Sequence, residues 1–501
     1  MVRIVEIGLI SAVVFAVLAF GGTEPLFFSV VQVVLLGLGI LLLVTYGTPR
    51  AGKPRLPVAV PLFLVALVLL QIAPLPASVV QLFHSTGNPL STSFASMSIA
   101  PYETLSYLVL LLTYLAAFYL TILVCQRPNG SRHLIFALLA LGTFEACYGL
   151  VQYLTGWQQI FTYVKKDNLD RATGTYINPN HYAGLLEMVL PFALAIAFYQ
   201  FGKVPQARPE TAHRMRNFFS HEESQKFLLW LFLAIILFVA LVFSRSRMGI
   251  VSAVVSTLLL FTLIATSGLR RINATLLAAL FLSAGISMAI WIGPEPVIAR
   301  FETLGQEYTA TGRWPIWQDT LRLIRQHPWL GSGFGTFGVA FPAVQTTFLS
   351  MFVNHAHNDY LEFASELGLP TGLFLFGAIF YLLVRSIRRF RIREPRFERA
   401  AALGCFGGVV AILLHSLTDF NLQIPANALL FAVVLGLAYA TSPREMQAGK
   451  QWRAGQCDAE TQADGSLSEQ SLEPVDSLVA PLRRRRVRGS ADLEPVVQKI
   501  R

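Results

Sequence analysis

Residues Phe227 to Phe243 read FLLWLFLAIILFVALVF, residues 244–247 read Ser-Arg-Ser-Arg, and residues Met248 to Thr266 read MGIVSAVVSTLLLFTLIAT. Each apolar run is about 18 residues long, the length at which an α-helix crosses a ~30 Å hydrocarbon layer. The four polar residues between them allow only a hairpin turn at a membrane surface. Outward from this hairpin the same pattern recurs, giving twelve candidate spans near 4–20, 26–46, 57–75, 104–125, 132–154, 180–201, 226–243, 248–267, 274–292, 369–385, 401–417 and 424–441. The 501-residue chain is 54% hydrophobic and 14% charged, which is more apolar surface than one soluble core absorbs. The expected fold is an all-α polytopic membrane helical bundle of about twelve transmembrane helices, with a large loop over residues 293–368 between the ninth and tenth. Met1-Val2-Arg3 ahead of an apolar run resembles a secretory leader. Gly21-Gly22-Thr23-Glu24-Pro25 is a weak processing site, however, so the first span is expected to remain as an anchor.

Orientation is legible in the charges, because Lys and Arg are retained on the cytoplasmic side. With the N-terminus inside, the segments 1–3, 47–56, 126–132, 202–226, 268–273, 385–400 and 442–501 become cytoplasmic and hold 30 of the 39 Lys and Arg. Without the C-terminal segment the ratio is still 20 to nine. An N-in, C-in topology follows. The formal net charge of +10 is then a topology signal that requires no nucleic acid. Cys125, Cys147, Cys405 and Cys457 fall in spans or in the cytoplasmic tail, and they lack metal-ligand spacing.

Residues 1–441 form the membrane domain. Residues 442–501 turn polar and carry Arg483-Arg484-Arg485-Arg486-Val487-Arg488, a disordered basic tail that either touches anionic membrane lipid or is simply solvated. Two outer connections are long, 155–179 and 293–368, and loops of that length are usually functional. In the second, Trp314, Trp317, Leu321 and Ile324 recur at helical spacing, with Arg313, Asp319, Arg322 and Arg325 elsewhere on the turn. This pattern describes an amphipathic helix, lying either in the outer membrane interface or on the rest of its own loop.

The outer face carries Lys165, Lys166, Arg171, Arg245, Arg247, Arg300, Arg313, Arg322 and Arg325. Arginine beside a bilayer is costly unless it is paired or used, although Arg245 and Arg247 could also snorkel to headgroups. Its planar fork holds phosphate oxygens bidentately, so several outer arginines suggest an anion such as a lipid pyrophosphate. Asn354-His355-Ala356-His357-Asn358-Asp359-Tyr360-Leu361-Glu362 precedes the tenth span, and a neutral histidine there suits a general base. His355 and His357 would share a metal only in a strand, whereas the following residues read as helix. Gly333-Phe334-Gly335-Thr336-Phe337-Gly338 matches a dinucleotide fingerprint without the surrounding βαβ unit, so its glycines are expected to permit a tight, mobile loop after Pro328. The chain contains no Asp-x-Asp pair of the kind that holds a metal-bound nucleotide sugar.

Four segments resemble the superfamily of O-antigen ligases and O-antigen polymerases, which are membrane glycosyltransferases. They are Arg171 through His181; Ser246-Arg247-Met248-Gly249; Arg313-Trp314 to Trp317, leading to Pro328, Gly331 and Gly333; and His357-Asn358, followed after nine residues by Gly368-Leu369-Pro370-Thr371. The resemblance covers roughly residues 170–375 and matches His357, rather than His355, to the family's essential histidine. It implies a GT-C-like fold in a bacterial inner membrane, with the active site facing the periplasm and no metal or cofactor. The implied partners are an undecaprenyl-diphosphate-linked glycan donor and, as acceptor, lipid A core or a growing glycan.

On this reading Arg171, Arg247 and Arg313 hold the diphosphate and stabilise its developing charge, while His357 deprotonates the acceptor hydroxyl. Arg245, Asn358, His355 and Glu362 are further substrate-binding candidates, with Glu362 and Glu366 both open as the residue that assists the histidine. Ligase and polymerase both remain open. From a different class, a lipid-glycan flippase or permease would place polar groups inside the spans, where Glu145 and Glu187 are the notable exceptions to an apolar pattern.

Overall fold

The computed structural model describes residues 2–46, 57–83, 93–204, 221–266, 312–347, 352–387 and 397–441, with a few helical positions between 279 and 290. It is almost entirely helical. In chain order the first helices are α1 (Val2–Leu18), α2 (Pro25–Tyr46), α3 (Ala59–Ile72), α4 (Ala77–Phe83), α5 (Pro101–Cys125), α6 (Gly130–Thr155) and α7 (Pro179–Phe201). They are followed by α8 (Glu222–Phe243), α9 (Arg247–Thr266), α10 (Arg313–Gln326), α11 (Phe337–Ala340), α12 (Asp359–Leu367), α13 (Leu369–Ile387), α14 (Phe397–His415) and α15 (Pro425–Ala440). Strand among the described residues is confined to two two-residue pairings, 75–76 with 94–95 and 159–160 with 163–164.

Among the described residues, eight helices are long and apolar enough to cross a membrane: α2, α5, α6, α7, α8, α9, α13 and α14. α3 and α15 are shorter apolar helices, and α1 runs 17 residues. The ninth expected span, residues 293–311 of the long loop and the basic tail 442–501 lie largely or wholly outside the described residues.

α7 is the central post. Every residue from His181 to Ala197 is buried, as expected of a helix that is apolar all round. α14 packs directly against it, and its glycines permit the close approach that membrane helices use in place of a hydrophobic drive. A Cβ at Gly404 would collide with the Phe192 ring, and one at Gly408 with the Met188 carbonyl. α8, α6 and α9 complete the ring around α7, and α5 packs on α15.

The two ends of the bundle differ. At one end Glu6 of α1 accepts from Arg127 at 2.5 Å and from His133 Nδ1 at 2.6 Å, which ties α1 to the turn between α5 and α6. Following the antiparallel helices, the opposite end gathers the 156–178 loop, the α8–α9 turn, α10 to α12 and the α14–α15 turn. There α10 buries Ile316 and Leu323 against Phe337, Phe341, Val344 and Ala356, so it packs on its own loop. Of the apolar stripe read from the sequence only Ile324 is buried, while Trp314 and Leu321 point outward at 44% and 43% exposure. Asp319 is buried instead, accepting from the Thr346 amide and hydroxyl at 2.9 Å each and from Arg322. The glycine-rich stretch does turn tightly, but it is strapped down: Gln71 Nε2 donates to the Leu330 and Glu366 carbonyls at 2.7 and 2.8 Å, and Ser332 N donates to Ser365 O at 2.9 Å.

Candidate active site

Helix starts set the site residues. Asn178 caps α7 by accepting from Asn180 N at 2.8 Å, and Pro179 fixes the first turn, so Asn180 and His181 stand at the mouth of the bundle. Asn358 caps α12 in the same way, accepting from Leu361 N at 3.0 Å, while its Nδ2 donates to Leu417 O at 2.8 Å. Both ends of the Asn358 amide are therefore engaged within the protein. Asp359 follows it, buried, and accepts from Ser416 Oγ at 2.6 Å and Leu422 N at 3.2 Å. Burial pushes the Asp359 carboxyl well above the usual carboxylate range against those hydrogen bonds, with Glu362 and Asp419 adding to the rise. These bonds clamp the α14–α15 turn onto α12.

That turn delivers the residue at the centre of the site. Asp419 is 1% exposed. Its Oδ2 accepts from Asn180 Nδ2 at 2.6 Å and faces Arg313 NH2 at 3.5 Å, and its Oδ1 accepts from Phe420 N at 2.9 Å. Arg313 also donates to Thr418 O. Burial acts against the Asp419 charge, but His357, Arg313 and His181 outweigh it and hold the carboxyl well below its ordinary value. His357 Nδ1 lies 3.8 Å from Asp419 Oδ1, just beyond hydrogen-bond reach, and its side chain is 33% exposed. The Phe420 ring organises three histidines: His355 stacks on it at 4.3 Å, while His357 and His181 meet it edge-on at 4.8 and 4.9 Å.

The paired candidates now separate. His355 Nδ1 donates to Glu362 Oε1 at 2.7 Å, and Glu362 Oε2 accepts from Ala356 N at 2.7 Å. Burial opposes the His355 charge, yet the Glu362 carboxylate prevails and the pKa lies above the ordinary histidine value. Glu362 thus holds His355. Glu366 accepts from Phe337 N at 3.0 Å, and burial with the neighbouring Glu362 raises its pKa well above the carboxylate range. His357 is left as the histidine facing outward beside a buried carboxylate. It adopts φ +52°, and Arg245 adopts φ +55°, both left-handed conformations uncommon outside glycine.

The remaining arginines form a second group. Asp170 bridges them, pairing with Arg245 and lying 3.6 Å from Arg171 Nε. Arg245 also sits over the Tyr153 ring at 5.7 Å. Ala172 N donates to Phe243 O at 3.0 Å, which holds the Arg171 loop beside the α8–α9 turn. Lys165 fixes the same loop from within, donating to the Asn168 and Arg171 carbonyls at 3.0 and 3.2 Å, and burial lowers its pKa to about 8. Beneath the loop Glu145 accepts from the Thr175 amide and hydroxyl at 2.9 and 2.8 Å. Arg247 opens α9 from the same turn.

An outward-facing histidine beside a buried aspartate that faces an arginine, with further arginines at the same end of the bundle, makes a site that can accept a proton and neutralise a leaving anion. Residues 232–376 match the family model described as O-antigen ligase. That stretch is similar to the O-antigen ligase family, and it runs from α8 through α10 and the His355–Glu362 segment into α13. No curated protein matched the chain. The match supports a membrane glycosyltransferase of the O-antigen ligase or polymerase type. It spans less than a third of the chain and includes Arg247, Arg313 and His357. Arg171, Asn180 and Asp419 lie outside it and are joined to it by the contacts above.

Sequence reading singled out neither Asp419 nor Phe420. The available signal was an acidic residue in a short connection that the charge rule places outside, and a census of basic residues alone passes over it.

Proposed function

We infer that this protein transfers glycan from an undecaprenyl-diphosphate carrier to an acceptor hydroxyl at the periplasmic end of the bundle, as an O-antigen ligase does. The observation that carries this reading is the Asp419 cluster, which brings Asn180, Arg313 and His357 from three separate segments to one point. In the reaction, the acceptor oxygen attacks the anomeric carbon and its proton passes to His357. The bond from that carbon to the carrier oxygen breaks, and the electron pair leaves on the diphosphate. Arg313, Arg247 and Arg171 offset its charge, and attack opposite the leaving group inverts the centre.

Asp419 faces one nitrogen of His357 and leaves the other toward substrate, placed for the orienting role that a carboxylate plays in histidine-based proton transfer. The 3.8 Å separation is expected to shorten when substrate binds, as catalytic hydrogen bonds often do. A lipid-borne donor also needs room for its tail. An apolar cavity of about 350 Å³ lies between α3, α5, α13 and α15, and Phe363 and Leu422 in its wall adjoin Glu362 and the Asp419 turn in sequence. Its chemistry suits a prenyl chain.

The test replaces His357 by Ala and Arg247 by Ala in the source cell and resolves the surface glycan on gels. Loss of attached glycan at normal protein levels is expected, and full-length unattached chains on the carrier would specify a ligase. Single repeats on the carrier would specify a polymerase. Normal glycan in both variants would overturn the reading.

A further inference from the structure

Inside the bundle lies one polar cluster to which no role has been assigned above. His415, the last residue of α14, places Nδ1 at 3.0 and 3.1 Å from the two carboxylate oxygens of Glu187 on α7. Its Nε2 faces Ser246 Oγ at 3.5 Å. Glu187 and His415 are fully buried and Ser246 is 2% exposed. The residue types are those of a hydrolytic serine triad, but a serine with no open face cannot meet a substrate. Membrane-embedded ionisable side chains are also costly, and well-packed apolar residues would serve the fold as well.

What the cluster does have is contact with both halves of the site. Ser246 lies between Arg245 and Arg247, and its Oγ accepts from Gly249 N at 3.3 Å, so it sets the first turn of the helix that Arg247 opens. On the other side His415 O accepts from Thr418 N at 3.0 Å. The next residue, Ser416, bonds Asp359, and Thr418 O receives Arg313 immediately before Asp419. One residue thus meets the start of the Arg247 helix through its ring and the base of the Asp419 turn through its backbone carbonyl.

We propose that Glu187 and His415 are positioning residues: Glu187 fixes the His415 ring, and the ring holds Ser246 so that Arg247 stays in register with Arg313, Asp419 and His357. This rests on the glycosyl-transfer reading above. A shift of about 1 Å between the two halves would separate the charge-stabilising group from the proton acceptor and commonly costs about 10²-fold in rate.

The experiment uses the full-length protein in lipid nanodiscs, with the lipid-linked glycan extracted from cells lacking this protein as donor. In His415→Asn the amide nitrogen takes the place of Nδ1, keeping the Glu187 bond and losing the reach to Ser246. Its expected result is a 10- to 100-fold lower kcat with unchanged donor KM and an unchanged melting temperature. Ser246→Ala is expected to match it, and the double variant to be no worse than either single one, because both changes cut the same link. Glu187→Gln keeps the volume and releases the ring, and it too should lower kcat alone. Full kcat in His415→Asn, or losses that multiply in the double variant, overturns the proposal. So does a kcat loss that only mirrors a falling melting temperature. His357→Ala is run alongside: if it is inactive while His415→Asn is fully active, only the positioning role fails. An active His357→Ala removes the reading beneath it.

Discussion

Asp419 is an ionised carboxylate with 1% of its surface exposed, a state that persists because Arg313, Asn180 and the Phe420 amide surround it. Asp419→Asn keeps the volume but removes the charge that faces Arg313 and His357. Glycosyl transfer is expected to fall by about 10²-fold while the protein still accumulates in the membrane, and transfer at the wild-type rate would show that His357 needs no carboxylate. His355 makes the contrasting case, since its raised pKa belongs to a pairing with Glu362. A histidine held above its ordinary value of 6.5 contributes stability that is complete below 6.5 and is lost as pH rises through the folded value. Asp419, held below 3.8, contributes above 3.8 and loses its contribution only as pH falls through its folded value. Between pH 6 and 9 the melting temperature of the purified protein should therefore fall more steeply than that of His355→Gln, and parallel curves would remove the His355–Glu362 account. Within the candidate site, His357 and the arginines stand out in the sequence because arginine is scarce on the face that the charge rule calls external and the His-Asn to Gly-x-x-Thr spacing is long. Asp419 does not, because nothing local distinguishes a lone acid in a turn; its meaning comes from Asn180, which is 239 residues away in the chain.

Elements were read with uneven success, for a physical reason. A bilayer-spanning helix needs only length and apolarity, so α2 and α5 to α9 follow directly from the sequence. α10 needed one face to be chosen from a period that fits several. The stripe through Trp314 and Leu321 has correct spacing, yet the buried face is Ile316, Asp319, Thr320, Leu323 and Ile324, because Asp319 finds the Thr346 amide and hydroxyl and so loses little on burial. The glycine strap had a similar ambiguity: sequence marks a turn but not what the turn touches. Gly331 adopts φ +73°, and a side chain there would drive into the Glu366 carbonyl, a backbone atom that cannot rotate away. Gly331→Ala combines left-handed strain of about 1–2 kcal/mol with that collision, and the strap is what holds Ser332 and Gly333 on α12. A drop of several degrees in melting temperature together with loss of transfer is expected. An unchanged melting temperature would mean that the strap is not rigidly held.

At the scale of the whole molecule, the distribution of charge and the position of the site make one joint claim. The charge rule assigns nine of 39 Lys and Arg to the outside, and the same end of the bundle collects Arg171, Arg245, Arg247, Arg313, His357 and Asp419. Scarcity and clustering reinforce each other: a translocated face loses dispensable cations, so those that remain and converge are the ones with partners or a substrate. The claim is open to direct mapping. In a variant with all four cysteines replaced, Lys166→Cys in the Arg171 loop should react, with the membrane intact, with a maleimide that cannot cross the bilayer. Asn129→Cys, in the turn between α5 and α6, should react only after that membrane is breached. The reverse pattern would put the histidine and its arginines in the cytoplasm, where a lipid-linked glycan already carried across the membrane could not meet them, and would remove the periplasmic reaction while leaving the helical bundle unchanged.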